Sequence, residues 1–222
     1  MTHLDNEIQR LKSEAVEMFE LVTSQMQKTR TALIAYDKEL AREVNFNEKR
    51  VNALELKIDK DCENIFALMN PLAIDLRFVL AVLKINTNLE RIGDIADGIS
   101  RYVVETAAPF DESLIREARL EEMFDMSIGM LRDVQTAFTD EDTRIARGLF
   151  SKDDTLDEIN SNANDVIESF IRQHIDKIGP CLHVISTIRK LERTGDQMKN
   201  IAEEIIFFIE AKVLKHEPGK AG

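Results

Sequence analysis

A chain of 222 residues, 44% of them hydrophobic, can bury a sizeable core, and its 8 Gly and 4 Pro exclude a disordered or turn-rich β chain. A formal net charge of −12 with a pI near 4.9 excludes the basic face that nucleic acid requires, and the absence of Trp removes a stacking platform for bases. Cations or basic protein surfaces are the natural partners of such a chain, although acid on a surface also serves solubility.

Helical periodicity runs from end to end. In the first segment Ile8, Leu11, Ala15, Met18, Val22, Met26, Leu33, Tyr36 and Leu40 follow a three-four spacing, which predicts one very long helix. The polar start, Met1 to Glu7, has no signal-peptide core. Asn45-Phe46-Asn47-Glu48 reads as a helix start, with Asn45 as cap and Glu48 closing a box three residues on. The second helix then carries Val51, Leu54, Ile58, Cys62, Ile65 and Met69. Asn70-Pro71 is a break, because the residue before proline leaves helical space and proline suits a first turn. A third helix follows to about Glu105, through Leu76, Leu80, Leu83, Ile99 and Val103.

Residues 106–111 read as a linker, with Asp111 capping a fourth helix through Leu114, Ala118, Met123, Met126, Met130, Val134 and Phe138. Thr139-Asp140-Glu141-Asp142 opens a fifth helix with Leu149, Leu156, Ile159, Ala163, Val166 and Phe170. Gly179-Pro180 breaks it, and a sixth runs through Ile185, Ile188, Leu191, Ile201, Ile205 and Phe208 to about Leu214. The expectation is an all-α chain of six long antiparallel helices in two tandem, pseudo-symmetric three-helix bundles, residues 1–108 and 109–215, with a frayed tail at 216–222. Cys62 and Cys181 match no zinc spacing and sit in apolar patterns, so they read as reduced core thiols. No apolar run is long enough to span a bilayer, which points to a cytoplasmic chain that is not integral to a membrane. The long first and fourth helices leave a homodimer open, with core packing as the rival explanation.

One phrase occurs twice. Leu89-Glu90-Arg91-Ile92-Gly93-Asp94 returns as Leu191-Glu192-Arg193-Thr194-Gly195-Asp196, 102 positions later. Each copy carries two acids four residues apart, and Glu90, Asp94 and Asp97 continue the stripe of Leu76 and Leu83 by heptad steps. The preceding helices offer Glu55/Asp59 and Asp153/Asp157, also four apart. Facing pairs would form an oxygen cage suited to a hard or borderline ion such as Mg, Mn, Ca or Fe. The rival reading makes them a solvated flank paired with Arg91, Arg193, Lys57 or Lys152. Gly93 and Gly195 sit inside helices, where glycine costs about 1 kcal/mol against alanine, so close helix approach or room for an ion must justify them. None of the four histidines has a Glu three positions before it, so the ferritin-like di-iron pattern is missing, as are a Walker loop, a dinucleotide fingerprint and a nucleophile elbow.

The doubled Leu-Glu-Arg-x-Gly-Asp resembles the PhoU family of bacterial phosphate-transport accessory proteins. Glu55 to Cys62, Pro71 to Arg77, Asp153 to Asp157 and Asn200 to Glu203 extend the resemblance over nearly the whole chain. It implies two three-helix bundles whose E(D)xxxD motifs bind metal clusters on the bundle surface. Carried onto this chain, the metal residues are Glu55, Asp59, Glu90 and Asp94 in the first half and Asp153, Asp157, Glu192 and Asp196 in the second. Asp97, Asn200 and Glu203 are further candidates. The implied cofactors are divalent or trivalent ions among Mg, Mn, Fe and Zn. The implied role is non-enzymatic: negative regulation of the phosphate-starvation response, coupling the ATPase of a phosphate ABC transporter to a sensor histidine kinase at the inner face of the membrane. The residues alone leave open a carboxylate-bridged metalloenzyme and a metal-free helical scaffold. The second half departs from the family pattern around Ile178 to His183, and Thr194 replaces the usual apolar residue.

Overall fold

The computed structural model describes residues 2–213, and every regular element among them is helical. Helix α1 (His3–Ala35) starts on a capping box in which Thr2 accepts from the Asp5 amide and Asp5 accepts from the Thr2 amide. It stops one turn earlier than its periodicity predicts. Tyr36 turns left-handed, at φ 53°, and its hydroxyl donates to the Thr106 carbonyl at 2.8 Å, which pins the corner. Asp37 then caps α2 (Lys38–Met69) by accepting from the Leu40 amide. The start predicted at Asn45 is therefore wrong. Asn45 and Glu48 lie inside α2, Leu40 belongs to α2 and not α1, and the Asn-x-x-Glu pattern serves another purpose there. Asn70 ends α2 in left-handed geometry, and α3 (Ile74–Glu105) follows.

Asp111 caps α4 (Glu112–Glu117) through the amides of Ser113 and Leu114. The single fourth helix of the sequence reading is in fact broken. Arg119 adopts φ 50° before α5 (Leu120–Asp140), and its guanidinium is held by Glu122 and Glu158. That kink buries Leu114, Ile115 and Leu120 together. Asp142 caps α6 (Thr143–Gln173). The break before α7 (Ile178–Glu210) falls at His174 and a short 3-10 turn, Ile175–Lys177. Gly179-Pro180 is the first turn of α7, where proline lacks no hydrogen bond, so it starts a helix and does not end one. Helix α7 stops at Glu210 with Ala211 left-handed, short of the predicted Leu214; the predicted tail at 216–222 lies outside the described residues.

Helices α1, α2 and α3 form one three-helix bundle, and α5, α6 and α7 the other, with α4 laid against α5 and α6. The bundles join where α3 packs on α7 and α1 on α5. Four phenylalanines from those four helices meet at the join: Phe19 and Phe138 at 5.5 Å between ring centroids, Phe78 and Phe208 edge-on at 5.4 Å. Aromatic pairs of this kind contribute about 1 kcal/mol beyond their buried area. Tyr102–Ser186 at 2.8 Å and Lys84–Glu204 at 2.9 Å add polar links along α3 and α7. Among the described residues no helix is long and apolar enough to cross a membrane.

Candidate metal centre

The acids of interest flank the core face of α3 and α7 where these helices meet α2 and α6. On α3 the centre of that face is Val82, Ile85, Leu89, Ile92 and Ala96, all fully buried. Leu76 is 37% exposed and Leu83 half-buried, so the stripe inferred through them lies at the edge of the core. Glu90 is half-buried at that edge, Asp94 is exposed and Asp97 is buried. Carboxylates there touch both water and the helix opposite.

The N-caps reveal the register between the repeats. Asp37 and Asp142 are 105 positions apart, and so are Leu40-Ala41-Arg42 and Ile145-Ala146-Arg147. Glu48 therefore corresponds to Asp153, Asn52 to Asp157, Glu55 to Asn160 and Asp59 to Asn164. The glycines agree. A Cβ on Gly93 would meet Val51 and Glu48; one on Gly195 would meet Leu156 and Asp153. Gly195 is thus bare because Asp153 of the facing helix lies over it, while at Gly93 the tightest neighbour is a Val51 methyl and Glu48 lies just beyond in ordinary contact. The matching of Glu55/Asp59 with Asp153/Asp157 is corrected by this register, and Glu48 is the residue that sequence reading missed. The doubled Ala-Arg step after each capping Asp was the signal that could have found it.

Glu48 is 8% exposed, and neither carboxylate oxygen has a hydrogen-bond partner. Burial, with the charges of Asp94, Asp97 and Glu90 close by, pushes its pKa up to about 7. Burial also raises Glu90, helped by Asp94 and Glu55, and raises Glu55, helped by Asp59 and Asp94. The first cluster is therefore Glu48, Glu55, Glu90, Asp94 and Asp97. Asp59 sits one turn away and accepts from the Asn86 amide at 2.8 Å. Asp97 is gripped from α2 by the Asn45 amide at 2.7 Å and from the rim by Arg101 at 2.6 Å. This is what Asn45 does in place of capping.

The second cluster gathers Asp153, Asp157, Glu192 and Asp196. Burial raises Glu192, helped by Asp196, Asp157 and Asp153. Burial raises Asp153 as well, even against the pull of Lys199. Lys199 pairs with Asp153 and with Asp196. Asn200 turns away to Asn88 of α3 at 3.4 Å, and Glu203 is half-buried seven positions beyond Asp196. Two of the four cations proposed for a solvated flank go elsewhere, Lys57 to Glu14 and Lys152 to Asp133, while the charge of Arg91 still acts on Glu90.

The PhoU domain model matches residues 15–103 and again residues 120–205, one copy per bundle. The chain belongs to the PhoU family. It is 30% identical over 213 residues to the phosphate-specific transport system accessory protein PhoU of Edwardsiella tarda, covering 96% of this chain and 87% of that one. It is 31% identical over 215 residues to the protein of the same name from Serratia marcescens, covering 97% and 88%. Among solved structures, PhoU from Pseudomonas aeruginosa superposes with a TM-score of 0.85 at 27% identity, covering 95% of this chain and all of that one.

For a PhoU chain the test is whether these side chains suit a metal. Among the described residues no three His, Cys, Asp or Glu side chains converge into a ready ligand set. The donor chemistry nonetheless fits in the first repeat, where a buried acid with no donor faces further acids across two helices. Hard oxygen donors of that kind hold Mg, Mn or Ca. Cys62 takes no part: it is buried, and burial above all pushes its thiol up to about 12.

Proposed function

We propose that this chain is a non-enzymatic accessory regulator of phosphate uptake. Family membership over both repeats carries the reading, together with the names of its relatives as accessory proteins of a phosphate-specific transport system. In this reading it works in the cytoplasm at the inner face of the membrane. It couples the ATPase of a phosphate ABC transporter to a sensor histidine kinase and holds down the starvation response when phosphate is plentiful. Deleting the gene tests this. Phosphate uptake and starvation-gene expression should rise in phosphate-replete cells, and unchanged levels of both would sink the reading.

The regulator, in the same proposal, carries a divalent or trivalent cation on Glu48, Glu90 and Asp94, with Glu55 and Asp97 beside them. The unpartnered carboxylate of Glu48 supports this most directly, because an uncompensated buried acid is costly unless it protonates or meets a cation. Equilibrium dialysis of chelator-treated protein against Mn2+ provides the check. Glu90→Gln/Asp94→Asn should weaken binding roughly tenfold or more. Equal Mn2+ uptake by wild type and the double variant would remove these residues from the site.

A further inference from the structure

The repeats share their inner glycines and part company four positions later. Counting from Gly93 and Gly195, the matching residues are Asp97 and Lys199. Asp97 adds a carboxylate to the first cluster and is held by Asn45 and Arg101. Lys199 points its ammonium among the second cluster's acids, where it contacts buried Asp153 and, at 2.9 Å, Asp196. Only 15% of its side chain is exposed. The 105-residue register matches Asn45, the grip on Asp97, with Phe150. The acid and the amide that steadies it have thus both gone from the second repeat, and a cation has arrived.

An ammonium in contact with two carboxylates and a divalent ion on the same oxygens exclude one another, through repulsion and through the oxygens already used. Among the described residues no such cation approaches Glu48, both of whose oxygens lack a hydrogen-bond partner, while Asp153 keeps one oxygen on Lys199. An ordinary surface lysine beside an aspartate would stand outside this layer; Lys199 reaches into it, over the acid that Gly195 makes room for.

We infer that Lys199 is a built-in replacement for a metal ion, which occupies Asp153 and Asp196 in the second acid cluster and confines divalent-cation loading to the first repeat. This rests on the reading of the Glu48 cluster as a cation site. It makes one bundle cation-responsive and leaves the other indifferent.

The probe is Mn2+ alone, measured as bound ion per full-length chain by dialysis and elemental analysis. In wild type, Glu90→Gln/Asp94→Asn should weaken binding roughly tenfold or more, while Asp153→Asn/Asp196→Asn leaves it unchanged. Lys199→Asp, which restores the first repeat's residue, should add a second class of Mn2+ sites that disappears when Asp153→Asn is included. Loss of wild-type binding in the second-repeat double variant overturns the inference. So does a Lys199→Asp protein that binds no more than wild type while the first-repeat variant still loses its ion; that result leaves the first-repeat reading standing. Absence of Mn2+ from wild type and Lys199→Asp alike overturns both. Should Lys199→Asp fail to fold, Lys199→Gln, which removes the ammonium and keeps much of the length, takes its place. Added Mn2+ uptake that disappears when Asp153→Asn is included supports the inference, and uptake equal to that of wild type overturns it.

Discussion

The two bundles are built on the same devices: an aspartate cap on the second helix, a glycine on the third, and an acid laid over that glycine. They differ in what answers the acid's charge. In the first bundle Glu48 meets Asp94, Asp97 and Glu90 and keeps its proton up to about pH 7. In the second, Asp153 is answered from within by Lys199. Shape has been kept across the repeat while charge has been reassigned, because packing depends on volume at every core position and charge can be balanced by one residue. The same scaffold therefore holds an acid cluster with no internal ammonium over its buried acid beside one that Lys199 partly offsets.

Removing the internal cation is the strongest way to break that contrast. Lys199→Met keeps much of the side-chain volume but strands Asp153, which is 2% exposed. Losing one partner of a buried pair costs about 3 kcal/mol or more. That cost should be largest at pH 8 and shrink toward pH 5, because the stranded carboxyl, raised by burial, takes up a proton in the folded state first. Urea melts at the two pH values measure it. A variant within about 0.5 kcal/mol of wild type at pH 8, the range of ordinary surface changes, would show that the pair contributes little.

The glycines sharpen the comparison with a smaller effect. In Gly195→Ala the new methyl overlaps Asp153 Oδ1, whose carboxylate Lys199 holds through the other oxygen, Oδ2, and lies 2.9 Å from Leu156 Cδ1. The gain of about 1 kcal/mol in helix propensity is outweighed, and a net loss of about 2 kcal/mol is expected. In Gly93→Ala the nearest atom is a Val51 methyl at 3.0 Å, and the Glu48 carboxylate at 3.5 Å is not tied down. There propensity and crowding nearly cancel, to within about 1 kcal/mol. Equal losses at both glycines in chemical denaturation would mean that the acid over Gly195 is free to move aside.

Much of this was legible in the residues. The apolar periodicity marks the helical segments, and the doubled Leu-Glu-Arg-x-Gly-Asp marks the repeat and four of the clustered acids. The boundaries were hidden where tertiary contacts decided them. Tyr36 ends α1 inside an unbroken apolar pattern because its hydroxyl finds Thr106 in another helix. Arg119 breaks the fourth segment without a glycine or proline nearby. Glu48 was hidden for a different reason. Asn45-x-x-Glu48 imitates a capping box, and in the fold the same two residues serve the acid cluster, one holding Asp97 and the other facing Asp94. Lys199 carries no signal of its own in the sequence, because its meaning lies only in its match with Asp97 across the duplication.

The gentlest test titrates the frustrated acid itself. Glu48 has its pKa raised from 4.5 to about 7, so between pH 6 and 8 the folded protein gives up a proton that the unfolded chain has already lost. Stability should fall across that window by about 1 kcal/mol in the presence of chelator, and fall no further from this group above it. Glu48→Gln, which cannot ionise, should flatten that segment of the curve, and Mn2+ should restore wild-type stability at pH 8 by binding the folded state. Asp153→Asn cannot imitate this flattening, because it discards a partner of Lys199 and lowers stability in the second bundle. Parallel pH profiles for wild type and Glu48→Gln would place the burden of the first cluster on Glu90 or Glu55, and the contrast between the bundles would then rest on the third helix alone.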